Sequence, residues 1–185
     1  KEAEKYFDSV DEIDIRKLEV RVDGNKIEIL YDKKKFPEYD CVYIRGSHKY
    51  ALLQRSLSFD LQGKCYTPIS PESYTVSHDK FLTMLELSKL KVSMPKTYFA
   101  ATTKQAKKLL EEVNYPIIMK IPSGTQGKGV MTADSLSSAK SMLDTLEVFN
   151  QPYLIQEYIE TNATDIRAIV AENKVIAAMK RKGKG

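Results

Sequence analysis

The chain has 185 residues, 42% hydrophobic and 29% charged, with a formal net charge of +4. That length suits one large domain or two small ones, and the composition excludes a disordered chain. No apolar run approaches the ~20 residues of a membrane-spanning helix, and the mild positive charge suits anions such as nucleotides better than nucleic acid, whose binders are more basic and more clustered.

Lys1-Glu2-Ala3-Glu4-Lys5-Tyr6-Phe7 reads as the end of a helix already under way, and the chain stops just after a strand, so the sequence is expected to be a fragment. Leu18–Val22 and Ile27–Tyr31 alternate around Asp23-Gly24-Asn25, which predicts a hairpin. Asp40–Ile44 is expected to be a strand running into Arg45-Gly46-Ser47, followed by a helix over 50–61. Lys64–Thr67 reads as a further short strand before a break at Pro68 and Pro71. The two cysteines, Cys41 and Cys65, and the two histidines, His48 and His78, cannot supply the four clustered ligands of a zinc site. Free, buried thiols suit a reducing compartment, so a cytoplasmic location is expected.

From Ser77 the spacing turns helical, with Phe81, Leu82, Leu85 and Ser88 on one face, and Pro95 closes that unit. A domain boundary is placed within 90–97, followed by a short strand ending at Phe99. Thr102-x-x-Gln105 matches a capping box ahead of Ala106, Leu109, Leu110 and Val113. Ile117–Ile121 reads as a strand, Ser123–Gly129 as a loop and Val130–Thr132 as a returning strand. Ser137 is expected to cap a helix that presents Ala139, Met142, Leu143 and Leu146. Tyr153–Ile159, Asp165–Ala171 and Lys174–Lys180 complete the strands, the last two turning at Glu172-Asn173. The second half therefore predicts an antiparallel sheet with helices on one side, and the first half a small α/β unit lacking its first strand.

The segment from Met119 to Val130 carries the chemistry. Gly124, Gly127 and Gly129 free the backbone to turn its N–H groups toward an anion. Ser123 and Lys128 lie in the same loop. Lys120 ends an otherwise apolar strand, where a charge is costly unless something negative pairs with it, and a phosphate would serve. The P-loop pattern fails because Gly129 follows Lys128, and the dinucleotide and protein-kinase fingerprints fail on glycine spacing. A glycine-rich hairpin lid over phosphates remains, beside the plainer reading of a solvated surface hairpin. Downstream, Glu157 interrupts the apolar run Leu154–Ile159. It marks a strand end where a nucleotide base can dock, or a strand with Gln156 or Glu157 facing water. Asp165 and Arg167 share a strand face, which suits a ligand or a cross-strand ion pair.

Taken in order, Ser77-His78-Asp79-Lys80, Ser93–Thr97, Tyr115–Lys120, Gly124–Val130, Gln156–Ile159, Asp165-Ile166-Arg167 and Val175–Arg181 resemble the RimK-like ATP-grasp ligases. Asp40 with Ile44-Arg45-Gly46 adds to that resemblance, which covers nearly the whole chain. It implies an α/β (α+β) ATP-grasp fold, with residues 1–92 as an N-terminal pre-ATP-grasp unit plus linker helix and 93–185 as an incomplete nucleotide-binding subdomain. It also implies an ATP-dependent ligase that joins a carboxylate to an amino acid amine, typically of glutamate, through an acylphosphate. Lys80 and Lys120 would contact the ATP phosphates, and the lid with Ser123, Gly127, Lys128 and Gly129 would close over them. Gln156, Glu157, Tyr158 and Ile159 would hold adenine, and Asp165 would reach the ribose. Arg167 and Lys180 would act near the phosphates or substrate as the catalytic pair.

Magnesium or manganese would bridge the phosphates. The family's Arg-x-Asn segment and its metal ligands are expected beyond residue 185, so this chain is expected to bind nucleotide weakly without turning over. Asn162-Ala163-Thr164 stands where family members often place a glycine before the aspartate. Family members often form homo-oligomers, and the carboxylate acceptor is left open between a small molecule and a protein tail. Alternatives are a peptide or D-alanine-type ATP-grasp ligase, a non-catalytic nucleotide-binding module, or an RNA-binding protein drawn from the basic Lys180–Lys184 end.

Overall fold

A computed structural model describes residues 2–123 and 127–183. Gly124, Thr125 and Gln126 of the glycine-rich loop, and Lys184 of the basic end, lie outside the described residues. The fold is mixed α/β with antiparallel sheets, as expected. The chain divides into two compact units, one of Lys1–Val92 with Pro122–Lys128 and one of Ser93–Ile121 with Gly129–Gly185.

In the first unit, β1 (Leu18–Asp23), β2 (Lys26–Tyr31) and β3 (Lys34–Lys35) form an antiparallel sheet in that order. The predicted hairpin closes with Asp23 opposite Lys26, and Gly24 takes a φ of 55° at the turn. Helix α1 (Ala51–Leu61) brings Leu57 and Leu61 onto Ile29, Phe36, Ile44 and Tyr74. Each such fully buried side chain contributes about 1.5–3 kcal/mol. The polar groups that enter this core are satisfied: Ser58 Oγ donates to the Ile69 carbonyl at 2.9 Å, and Tyr74 Oη to that of Ile44 at 3.1 Å.

Two expectations change here. The strands expected at 40–44 and 64–67 reduce to one parallel bridge between Cys41 and Tyr66. Its two bonds, Val42 N to Tyr66 O and Tyr66 N to Asp40 O, are each 2.9 Å. The two segments meet only there, so no ladder extends. The break read at Pro71 is instead the start of helix α2 (Pro71–Val76). Proline at the first helical position gives up an N–H that would have lacked a helical partner anyway. Helix α3 (Lys80–Ser88) follows, and the Asp79 carboxylate accepts from the N–H groups of Phe81 and Leu82. Phe81 and Leu82 are half-buried on α3, while Leu85 and Ser88 are exposed.

The second unit holds β4 (Thr97–Phe99), α4 (Thr103–Glu112), β5 (Ile117–Lys120), β6 (Val130–Ala133), α5 (Leu136–Val148) and β7 (Leu154–Glu157). The sheet order is β4-β7-β5-β6, antiparallel throughout. Ile117, Met119 and Ile155 share one face and are buried with Ala106 and Leu110 of α4 and Ala139, Leu143 and Leu146 of α5. Thr102 caps α4 by accepting from Gln105 N at 3.2 Å. The cap of α5 is Ser135, not Ser137. Ser135 is the last extended residue (φ −152°, ψ 162°), and it exchanges bonds with Ser138 while Ser137 already lies in the first turn.

β8 (Thr164–Ala171) and β9 (Lys174–Lys182) form a separate two-stranded sheet with a bulge after Ile169. Apart from Thr164, every one of its residues is exposed. No helix among the described residues is long and apolar enough to cross a membrane.

Candidate functional site

Strand alternation places Thr97, Ile118, Lys120, Leu154 and Gln156 on the sheet face turned away from α4 and α5. Lys120 is half-buried at the end of β5, and Gln156, in β7, is only 7% exposed. Lys120 Nζ donates to Gln156 Oε1 at 2.5 Å. Gln156 Nε2 donates to Thr97 Oγ1 at 2.7 Å, and Thr97 Oγ1 donates to the Pro95 carbonyl at 3.0 Å. A polar row thus crosses β5, β7 and β4. An amide oxygen rather than open water receives the Lys120 side chain at the strand end. Gln156 does not face water. Thr97 escaped the sequence reading because its partner lies 59 residues away.

The glycine-rich loop begins in the first unit against the start of α3. Ser123 bridges Asp79 across an antiparallel contact. Both the backbone N–H and the Nζ of Lys80 donate to the Pro122 carbonyl, each at 3.1 Å. Lys80 and the loop entrance predicted to act together are therefore adjacent, with Ser123 exposed and Pro122 buried. Gly127 and Gly129 take φ values of 75° and 73°, which a side chain would strain. A Cβ at Gly129 would also sit 3.1 Å from Ile121, whose N–H donates to Gly129 O at 2.9 Å. Gly129 closes the hairpin for a steric reason, whatever the loop binds. Lys128 is exposed.

At the far end of β7, the Glu157 carboxylate accepts from Lys96 N at 2.8 Å, while Glu157 N donates to Lys96 O at 2.9 Å. The residue that interrupts the apolar run therefore clamps the segment leading into β4. Tyr158 and Ile159 follow, 39% and 52% exposed. Tyr158 donates to Glu160 at 3.1 Å, and that bond raises its phenol pKa above the ordinary value.

On the β8–β9 hairpin, Asp165 lies opposite Arg181, whose Nε donates to it at 2.9 Å. The cross-strand ion pair expected as the plainer reading of Asp165 is present, with Arg181 as its partner. Arg167 lies opposite Met179 and Lys180 opposite Ile166, so Arg167 shares a face with Asp165 while Lys180 lies on the other. The two residues named as a catalytic pair are thus parted by the hairpin they share. Asn162 and Ala163 take φ values of 48° and 51°, the left-handed conformation that glycine adopts without strain. Among the described residues, no three His, Cys, Asp or Glu side chains gather where a metal ion could be held.

Comparison with known proteins identifies the family. Residues 77–185 match the RimK-like ATP-grasp domain. A protein of Marinomonas sp. (strain MWYL1) named "Probable alpha-L-glutamate ligase" is 32% identical over 185 residues, spanning 98% of this chain and 61% of that protein. Among solved structures, the RimK domain protein of Sphaerobacter thermophilus DSM 20745 superposes with a TM-score of 0.65 at 16% identity, over 79% of this chain and 56% of that one. The N5-carboxyaminoimidazole synthetase of Staphylococcus aureus, solved with ADP, gives 0.64 at 14% identity, over 78% of this chain and 39% of that one. The structural matches establish the fold, and the chain spans less than two thirds of the curated relative's length. By domain and by sequence, the chain belongs to the RimK-like ATP-grasp family.

Proposed function

We propose that this chain is the nucleotide-binding part of an ATP-dependent ligase that joins a carboxylate to the amine of an amino acid, glutamate. The observation that carries this reading is Lys120: an ammonium half-buried at the end of an apolar strand, its head fixed by Gln156. An ammonium held in such a place acts as a point charge for phosphate oxygens. Family membership, the ADP bound by the Staphylococcus protein and the glutamate in the relative's name support the same reading.

In this reading Lys120 and Lys80 contact ATP phosphates, and the loop from Ser123 to Gly129 covers them. Glu157 orients the strand end, so that the backbone of Glu157, Tyr158 and Ile159 meets adenine. Asp165 is directed to the ribose, and Arg167 and Lys180 to phosphate or substrate from opposite faces of their hairpin. A substrate carboxylate oxygen takes the γ-phosphoryl group and ADP leaves. The free amine then attacks the acyl carbon, the C–O bond to phosphate breaks, and the amine loses a proton. The residues of this chain contribute positioning and charge neutralisation. Magnesium, when bound, would neutralise phosphate charge, and among the described residues no cluster of acidic or histidine side chains is placed to hold it.

Calorimetry of the 185-residue chain tests the reading. ATP binds, and Lys120→Ala weakens it about 10-fold or more, the loss of one charge-assisted bond. Equal affinity in the two proteins would remove Lys120 from the site. Glutamate-dependent release of phosphate by the full-length protein tests the amine.

A further inference from the structure

The hydrogen-bond row across β5, β7 and β4 has a direction, and that direction is fixed at one end. The Pro95 carbonyl can only accept, so the Thr97 hydroxyl proton points to it across 3.0 Å. Thr97 Oγ1 is then left to accept from its other neighbour. That neighbour is the Gln156 amide at 2.7 Å, which must present its NH2 group. With the NH2 turned to Thr97, the amide oxygen is turned to Lys120, whose ammonium only donates. The Pro95 carbonyl at one end and the Lys120 ammonium at the other thus agree on the amide orientation of Gln156, and one hydroxyl completes the row. Gln156 is 7% exposed, so water has little access to substitute for a lost partner.

We infer that Thr97 and Gln156 are positioning residues for the Lys120 ammonium: Thr97 anchors the amide nitrogen of Gln156, so that the amide oxygen is held in a fixed place for the lysine. This rests on the reading of Lys120 as a phosphate contact, and it assigns Thr97 a role that the nucleotide itself does not require by contact. Without the hydroxyl, the amide nitrogen of Gln156 loses its acceptor at 2.7 Å. The amide is then anchored less firmly, and the oxygen that receives the ammonium is less firmly placed.

The choice of threonine fits the demand. The β-branched side chain is stiff at χ1, so its hydroxyl stays aimed between Pro95 and Gln156. Valine keeps that shape without the hydroxyl, and serine keeps the hydroxyl without the branch.

Two measurements test the inference. In the nucleotide-free protein, the 15Nζ resonance of Lys120 is expected to be protected and sharp in wild type, lost in Thr97→Val and restored in Thr97→Ser. In ATP binding, Thr97→Val is expected to weaken affinity about 10-fold, to leave adenosine affinity unchanged, and to add no further loss in a Lys120→Ala background. A Thr97→Val protein that keeps the protected resonance, or whose loss simply multiplies with that of Lys120→Ala, overturns the positioning role while leaving the nucleotide reading intact. A wild type that binds no ATP overturns the nucleotide reading, and the resonance series still decides the role of Thr97. Amide protection of Met119 and Ile155 in each variant separates these outcomes from a disturbed sheet.

Discussion

Ala163 illustrates a residue whose backbone and side chain disagree. Its φ of 51° belongs to the left-handed region, where a Cβ costs about 1–2 kcal/mol. Glycine would remove that strain and return part of the gain as unfolded-state entropy. Ala163→Gly is therefore expected to stabilise the chain by about 0.5–1 kcal/mol, read from the urea midpoint of the transition that reports on this hairpin. A lower midpoint would mean that the Cβ packs usefully. At the same scale, Glu157 shows how a charge that breaks an apolar pattern can serve the backbone: its carboxylate and its N–H both bind Lys96. The sequence marks Glu157 as an exception, but nothing near it identifies the partner, which lies 61 residues earlier.

At the scale of elements, the two kinds of sheet in the second unit differ in what covers them. β5 and β7 lie under α4 and α5 and contribute Ile117, Met119 and Ile155, none more than 1% exposed. β8 and β9 pair through nearly their full length and bury no residue; Ile166 is 76% exposed and Ile176 65%. A two-stranded hairpin without a covering layer is marginal in water, and opening free energies track buried apolar contact. Hydrogen exchange followed by mass spectrometry should show the amides of 164–182 exchanging at least 100-fold faster than those of β5 and β7, a difference of about 2.7 kcal/mol in opening energy. Equal protection would show that something covers the hairpin in solution.

The same elements show what local patterns carry. The turns at Gly24 and Glu172-Asn173, the cap at Thr102 and the helical face of α5 follow from spacing within a dozen residues. The strand expected at 40–44 fails because a strand needs a neighbour, and the pairing with 64–67 stops at one bridge. The helix at Pro71 was hidden because proline marks both a helix start and a chain break.

For the whole molecule, each compact unit encloses its own core. One gathers Ile29, Phe36, Ile44, Leu57, Leu61 and Tyr74, the other Ala106, Leu110, Ile117, Met119, Leu143 and Ile155. The segment Pro122–Lys128 groups with the first unit although the strands on either side of it belong to the second. Residues 93–185 expressed alone are accordingly expected to unfold cooperatively on heating, since their core is complete. Their Pro122 carbonyl would lack the two donors it receives from Lys80. A broad, non-cooperative melt followed by circular dichroism would refute this.

The sequence by itself determined the elements with strong periodicity, the glycine-rich loop, the lysines at 80, 120 and 128, and membership in an ATP-grasp family, because each is written in residue types at short or ordered spacing. Tertiary structure alone decided that β7 inserts between β4 and β5, that Gln156 turns its oxygen to Lys120, and that Arg167 and Lys180 occupy opposite faces. These depend on the neighbour each strand chooses and the register in which they pair. Such choices are settled by burial and hydrogen bonding between residues far apart in the chain, where local periodicity carries no information.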